Sequence, residues 1–307
     1  MNERVGEMRR REFIAKSLVA GSGSILLSTQ FRLFAAPPPI PQAVTVTGGE
    51  PEQLVEEALK AFGGMNKFIS RGDVVVVKPN IGWDRAPQFA ANTNPEVVSA
   101  VVKACFEAGA KKVKIFDRTC NNPLRCYRNS HIEQMAKKLG ADVQQIRSNK
   151  FKTIALPDGE ILKEWPVYQE YLEADKVINI PVAKHHSLAR VTLGLKNLMG
   201  VMGANRGEIH NHFSQKLIDI DAHILPSLTI IDAYRILLRN GPSGGNLNDV
   251  KLTKTLIMSS CTPTADRLAL DLFGLNIDDV PYIKEAFRRG LNKFDPAKLR
   301  LKSINLS

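Results

Sequence analysis

Between Asn179 and His212 the chain gathers four of its six histidines, His185, His186, His210 and His212, together with Lys184, Arg190, Lys196 and Arg206. The rest of that segment is apolar and punctuated by glycine. Histidine holds a metal or moves protons near neutral pH, and a lysine beside apolar surface either holds an anion or becomes a nucleophile. Lys184, His185 and His186 follow Pro181 at the exit of an apolar run, where extended backbone sends adjacent side chains to opposite sides, so a single histidine of the pair faces the site. That histidine can act as a general acid or base, as a metal ligand, or as a hydrogen-bonded structural group. Lys196 and Asn197 lie in a helix-like run among Leu193, Leu195, Leu198 and Met199, a setting that depresses a lysine pKa unless an anion compensates. Three roles stay open for Lys196: binding an acidic substrate, forming a Schiff base with a carbonyl, or pairing internally with Asp219 or Asp232.

His210 and His212 form an H-x-H pair, which on a strand puts both rings on one face and on a helix turns them apart. Joined by His186 and by Asp219 or Asp221, they would complete a three- or four-ligand site for a transition metal. The alternative is that residues 208–212 are a polar loop opening the next helix. No iron–sulfur motif accompanies them, because Cys105, Cys120, Cys126 and Cys261 form no C-x-x-C pair. Cys120 and Cys126 are spaced for a small disulfide loop, and Cys105 sits in an apolar helical pattern.

The elements that must position these groups alternate between strand and helix. Helical spacing covers residues 51–62, 95–108, 131–139, 213–224, 263–273 and 281–289, and apolar strand runs cover 74–77, 113–116, 143–146, 177–180, 228–231 and 256–259. The pattern predicts a three-layer α/β domain with a mostly parallel sheet and a small hairpin excursion near residues 151–166, turning at Pro157-Asp158-Gly159. Ligands of open parallel sheets bind beyond the carboxyl ends of the strands. If the strands are parallel neighbours, Lys78, Asn80, Asp117, Lys184 and Asp232 converge on one rim. Lys78 and Asn80 suit a carboxylate or phosphate ligand, and Asp117 either caps the following turn or holds a basic neighbour.

These residues carry a resemblance. Lys78-Pro79-Asn80, Thr93-x-Pro95-Glu96, Gly109-Ala110-Lys111-Lys112-Val113 with Asp117, Lys184-x-His186, Val191-Thr192-Leu193-Gly194-Leu195-Lys196-Asn197-Leu198-Met199-Gly200, and Ile230-Ile231-Asp232-Ala233 together resemble the DUF362 family of uncharacterised prokaryotic proteins. The resemblance spans roughly residues 70 to 275 and favours His186 over His185 as the site residue. It supplies no reaction. Some relatives carry a ferredoxin-like iron–sulfur domain, which this sequence lacks.

Residues 8–16 add an address. Arg10-Arg11-x-Phe13-Ile14 followed by a short, mildly apolar stretch is a twin-arginine export signal over residues 1–36, and a Pro-rich linker over 37–50 separates it from the domain at 51–307. Lys16, Gln30 and Arg32, with glycines and serines between, keep that stretch from reading as a membrane span. The export machinery is then one partner, the location is periplasmic, and the membrane is met only through an uncleaved signal. Losing residues 1–35 removes six basic and three acidic residues, so the net charge falls from +11 to about +8. That balance favours a small anionic ligand. Nucleic acid is not expected, since there is neither a recognition-helix signature nor a basic strand interleaved with aromatics.

Two function classes follow. One is an exported enzyme acting on a small anion, with His186, Lys184 and Lys196 as catalytic groups, Lys78, Asn80, Asp117, Asn197 and Asp232 binding substrate, and a metal at His210 and His212 assisting. The other is a periplasmic ligand- or metal-binding protein that uses the same pocket without turnover.

Overall fold

The computed structural model describes residues 40–307, so the export signal expected over residues 1–36 lies outside it. In chain order the strands are β1 (Ala43–Thr47), β2 (Val74–Pro79), β3 (Lys112–Ile115), β4 (Asp142–Val143), β5 (Phe151–Ala155), β6 (Glu164–Tyr168), β7 (Lys176–Ile180), β8 (Val182–His186), β9 (Arg190–Thr192), β10 (Leu228–Leu237), β11 (Val250–Ser259) and β12 (Leu301–Asn305). The helices are α1 (Pro51–Phe62), α2 (Pro95–Glu107), α3 (Pro123–Asn129), α4 (Ile132–Lys138), α5 (Gln169–Leu172), α6 (Gly194–Asn197), α7 (Phe213–Asp221), α8 (Thr262–Ala269) and α9 (Pro281–Arg288).

One sheet runs in the order β12-β1-β11-β10-β7-β2-β3-β4, with β8 and β9 attached beside β10. Its pairs from β10 to β4 are parallel, whereas β11 runs antiparallel to both β10 and β1. Both faces are covered, which explains the unbroken valines of β2. Val75 and Val77 join a core with α1, α2 and α4, while Val76 joins a second core with α7, α8 and α9. Ile178 and Val177, Ile230 and Ile231, and Met258 and Ile257 divide between the two cores in the same way. Strands buried on both sides read as continuous apolar runs rather than alternating ones. The three-layer, mostly parallel α/β fold is therefore the one that the sequence pattern predicts.

Local chemistry sets the helix starts. Proline stands at the first turn of α1, α2, α3 and α9, and the Asn94 side chain accepts the Glu96 N–H to cap α2. Beyond α1 the chain turns at Gly63, whose φ of +88° suits a residue without Cβ.

Four boundaries differ from the sequence reading. Residues 43–47, expected in the linker, form β1 in the sheet, because Val44 and Val46 alternate inward and are fully buried. The hairpin strands lie farther from the turn than expected, at 151–155 and 164–168, since the Asp219 carboxylate takes the N–H groups of Glu160, Ile161 and Leu162 and holds that stretch as a loop. Strand β4 is two residues long, and β10 and β11 extend to ten residues each by pairing with one another.

At the carboxyl ends of the adjacent parallel strands β2 and β3, Lys78 Nζ donates to Asp117 Oδ1 at 2.8 Å and to the Pro79 carbonyl at 2.9 Å. Asp117 Oδ2 accepts the Ile81 N–H at 2.6 Å. The two side chains are 0 % and 3 % exposed. Removing one member of such a pair leaves an uncompensated buried charge. Asp117→Ala is expected to destabilise the protein by about 3–5 kcal/mol in urea unfolding, whereas the double change Lys78→Met with Asp117→Leu recovers most of that loss. Equal losses in the single and double variants would contradict this role.

Candidate functional site

Beyond Pro181 the chain leaves β7 and continues as β8, which pairs with β10 and folds back antiparallel onto β9. The two-residue period of β8 sends Lys184 and His186 into a cavity of about 300 Å³ and His185 away from it, where its Nδ1 accepts the Gly241 N–H at 3.1 Å. After β9 the chain turns into α6. The first two N–H groups of α6, Gly194 and Leu195, are held by the Asp266 carboxylate at 2.6 and 2.9 Å, and this turn puts Lys196 and Asn197 at the cavity floor. Residues Leu198–Val201 then form a 3-10 turn packed against the Lys78–Asp117 pair. Glycine is required at 200, because a Cβ there would lie 1.7 Å from Asp117 Oδ1 and 2.5 Å from Lys78 Nζ.

A chain of amides links the floor to the sheet. Lys184 Nζ donates to Asn80 Oδ1 at 3.1 Å and to the Ala91 carbonyl at 2.5 Å. Asn80 Nδ2 donates to Asn197 Oδ1, Asn197 Nδ2 donates to Asn179 Oδ1, and Asn179 Nδ2 donates to the Gly194 carbonyl, at 3.0, 2.8 and 2.9 Å. The ammonium fixes the first amide orientation, and each later one follows from it.

The upper wall carries two arginines that sequence reasoning did not assign to the site, although Arg206 lies in the segment it opened on. Arg118 follows β3 and donates to the Met202 and Ala204 carbonyls, while Arg206 donates to the Arg118 and Thr119 carbonyls and reaches Cys120 Sγ at 3.3 Å. Carbonyl partners place the guanidinium groups without cancelling their charge. Arg206 belongs to the basic segment 179–212 and Arg118 lies outside it; they meet because residues 118–120 and 202–206 cross in space. The expected disulfide does not form: Cys120 and Cys126 are both free thiols, the first at the cavity wall and the second buried.

The cavity thus has four permanent or potential cations, Lys184, Lys196, Arg118 and Arg206, and its one lining carboxylate, Asp117, is already paired with Lys78. Among the described residues none of the four cations is in an ion pair. Lys184 is 1 % exposed and Lys196 is 9 % exposed. Burial pushes Lys184 down to about 7 against the pull of Cys120, and the Lys196 charge adds to the drop. Burial likewise pushes Lys196 down to about 8. His186 is pushed down to about 3 by burial and by the Lys196 and Lys184 charges, so it is neutral at pH 7. Its Nδ1 accepts the Leu188 and Ala189 N–H groups at 3.2 and 3.3 Å, which assigns its proton to Nε2. His186 therefore presents an N–H donor at Nε2 while its Nδ1 lone pair is occupied.

Several expected site residues stand elsewhere. Lys78 is buried beneath the cavity, holds Asp117 and is not among the lining residues; Asp117 in turn acts as an anchor and not as the cap of its own turn. Asp232 accepts the Asn94 and Tyr234 N–H groups at 2.7 and 3.0 Å and does not line the cavity. Of the H-x-H pair, His210 lines the cavity from a 3-10 segment, while His212 is exposed at φ +56° before α7. Asp219 is tied to Arg289, and Asp221 is fully buried with both oxygens unpartnered. The ligand set expected around His210 and His212 does not assemble, and no group of three His, Cys, Asp or Glu able to hold a metal occurs among the described residues.

Comparison with known proteins places a match to the domain of unknown function DUF362 over residues 75–271. A thylakoid-associated protein of Synechocystis sp. is 28 % identical over 242 residues, covering 76 % of this chain and 73 % of its own. Among solved structures, a lactate racemase apoprotein from Thermoanaerobacterium thermosaccharolyticum has a TM-score of 0.45 at 13 % identity, covering 72 % of this chain and 55 % of that one. A structural-genomics protein from Thermotoga maritima has a TM-score of 0.45 at 14 % identity, with coverage of 74 % and 60 %. The chain thus spans less than two thirds of the length of either solved structure. Among the described residues no helix is long and apolar enough to cross a membrane.

The depressed lysines make the unliganded site a source of strain with a definite pH sign. Below pH 8 Lys196 is protonated both folded and unfolded, so the folded protein bears the full desolvation penalty; between 8 and 10.5 it loses its proton in the folded state first and the penalty fades. Lys196→Met is expected to stabilise the protein by about 1–3 kcal/mol at pH 6.5 in low-salt, anion-poor buffer, and by progressively less toward pH 10. Thermal unfolding of both proteins across that range checks it; a stabilisation that grows with pH would contradict the assignment.

Proposed function

The chain belongs to the DUF362 family, and for this member we propose an exported enzyme that draws a small carboxylate, sulfate-like or phosphate-like anion into the basic cavity and acts on it there. The observation that carries this reading is the charge balance of one cavity: two buried lysines and two arginines with no free carboxylate among its lining residues. An anion entering that space relieves cation repulsion and meets directed donors, Lys184 Nζ, Lys196 Nζ and His186 Nε2–H.

Chemistry, beyond capture, is supported by the state of those donors. A neutral imidazole presenting N–H can stabilise negative charge as it develops on a substrate oxygen without first losing a proton. Lys184, with its pKa near 7, can give or take a proton at physiological pH. Met199, Trp83 and Thr192 complete the walls. Export through the twin-arginine route rests on Arg10-Arg11-x-Phe13-Ile14 and would set this chemistry in the periplasm, on a protein delivered already folded.

A bound anion favours the charged lysines, so binding takes up protons above pH 7 and weakens as pH rises from the lysines' unliganded pKa values toward their higher liganded ones. Calorimetry with sulfate, which does not titrate in this range, is expected to show affinity falling about tenfold or more between pH 6.5 and 9.5, and proton uptake in paired buffers at pH 8. Lys184→Met and Lys196→Met should each weaken binding about tenfold or more at pH 6.5. Sulfate affinity unaffected by both substitutions would overturn the reading.

A further inference from the structure

Three lysines are buried around this site, and their ammonium groups are not held alike. Lys78 Nζ donates to Asp117 Oδ1 and the Pro79 carbonyl, and Lys184 Nζ donates to Asn80 Oδ1 and the Ala91 carbonyl. Among the described residues Lys196 Nζ has no oxygen partner: its neighbours are Met199 Sδ at 3.6 Å and the Phe213 ring at 5.4 Å. A thioether and a ring face hold an ammonium weakly and leave a neutral amine's lone pair free.

The carboxylates that might have paired with Lys196 are engaged elsewhere. Asp219 holds Arg289 and three N–H groups of the hairpin loop, Asp232 holds Asn94 and Tyr234, and Asp266 holds the start of α6. An internal ion pair is thereby removed from the roles open to this lysine. Arg118, Arg206 and Lys184 share the task of holding an anion with Lys196, so its amine can react while a bound carboxylate keeps cationic partners.

We propose that Lys196 is an amine nucleophile that forms an imine with a small carbonyl compound bearing a carboxylate, such as a 2-oxo acid, held in the basic cavity. This deepens the anion-site reading and rests on it. The Nζ lone pair forms a bond to the carbonyl carbon while the carbonyl electron pair moves to oxygen, which takes a proton. Nitrogen gives up a proton, the carbinolamine oxygen leaves as water with a second proton, and a C=N bond joins Nζ to the former carbonyl carbon. No electrons are gained or lost overall. His186 Nε2–H is placed to donate to the carbonyl oxygen during attack, and Lys184 is the group able to carry protons into and out of the dehydration step. The burial that favours the neutral amine of Lys196 supports the same role.

Glyoxylate, the smallest such carbonyl acid, is the probe. The described domain with its native N-terminal segment is incubated with glyoxylate and cyanoborohydride at pH 7.5, which turns an imine into a stable secondary amine, and the labelled lysines are located by peptide mass spectrometry. Lys196 is expected to label about tenfold or more faster than any other lysine, saturably in glyoxylate and with protection by sulfate. Lys196→Arg should remove that fast phase and leave only slow surface labelling. Sulfate calorimetry on the wild-type protein reads the cavity independently of imine formation. If sulfate binds in the pH-dependent way described and Lys196 labels no faster than surface lysines, the imine is wrong and the anion site stands. If sulfate does not bind at all and Lys196 is not preferred, both fail.

Discussion

The site depends on the ion pair buried between the ends of β2 and β3. Lys78 and Asp117 meet with 0 % and 3 % exposure, and the pair ties the loop after β2 to the loop after β3 through the Ile81 N–H. The 3-10 turn at Leu198–Val201 packs against it so closely that only glycine fits at 200. Three loops that carry site residues, at 80–83, 117–120 and 196–200, are thereby positioned by one electrostatic contact. A buried pair is weak evidence for stability in general, because desolvation offsets attraction. Here its effect is specificity: it consumes the only carboxylate that, among the described residues, reaches the cavity.

The consequence is an uncompensated positive space. Lys184 and Lys196, denied a counter-charge and taken out of water, sit near pKa 7 and 8 where free lysine sits near 10.5. Burial, with their charges added to it, keeps His186 neutral. Each perturbation follows from the same arrangement, which is the pattern expected where stability has been given up for binding or chemistry. The amide chain from Lys184 through Asn80, Asn197 and Asn179 to the Gly194 carbonyl carries the order of the sheet into the floor of the site.

Much of the frame was legible because its signals are local. The valines of β2, the Pro95 start of α2 and the positions of Lys78, Asn80 and Asp117 at or just beyond the ends of β2 and β3 follow from periodicity and from the parallel-sheet rule, whereas Lys184 lies inside β8, a strand the pattern did not mark. The alternation along β8 also separated His186 from His185. What stayed hidden depends on contacts distant in sequence. Residues 43–47 resemble a linker until β11 and β12 flank them, and the fate of Lys78 depends on a partner 39 residues away. Arg118 and Arg206 lie 88 residues apart and come together only through the turn at Gly200, and the H-x-H pair fails as a metal site because His212 adopts a left-handed backbone that no spacing rule foretells.

The central claim is that an anion belongs among Lys184, Lys196 and Arg206. Crystals of the described domain grown with selenate, which mimics sulfate and scatters anomalously, test it most directly. The account predicts an anomalous peak inside the cavity within hydrogen-bond reach of both lysine Nζ atoms, lost in crystals of Lys196→Met. Selenate found only on surface side chains, with the cavity holding water alone, would contradict it.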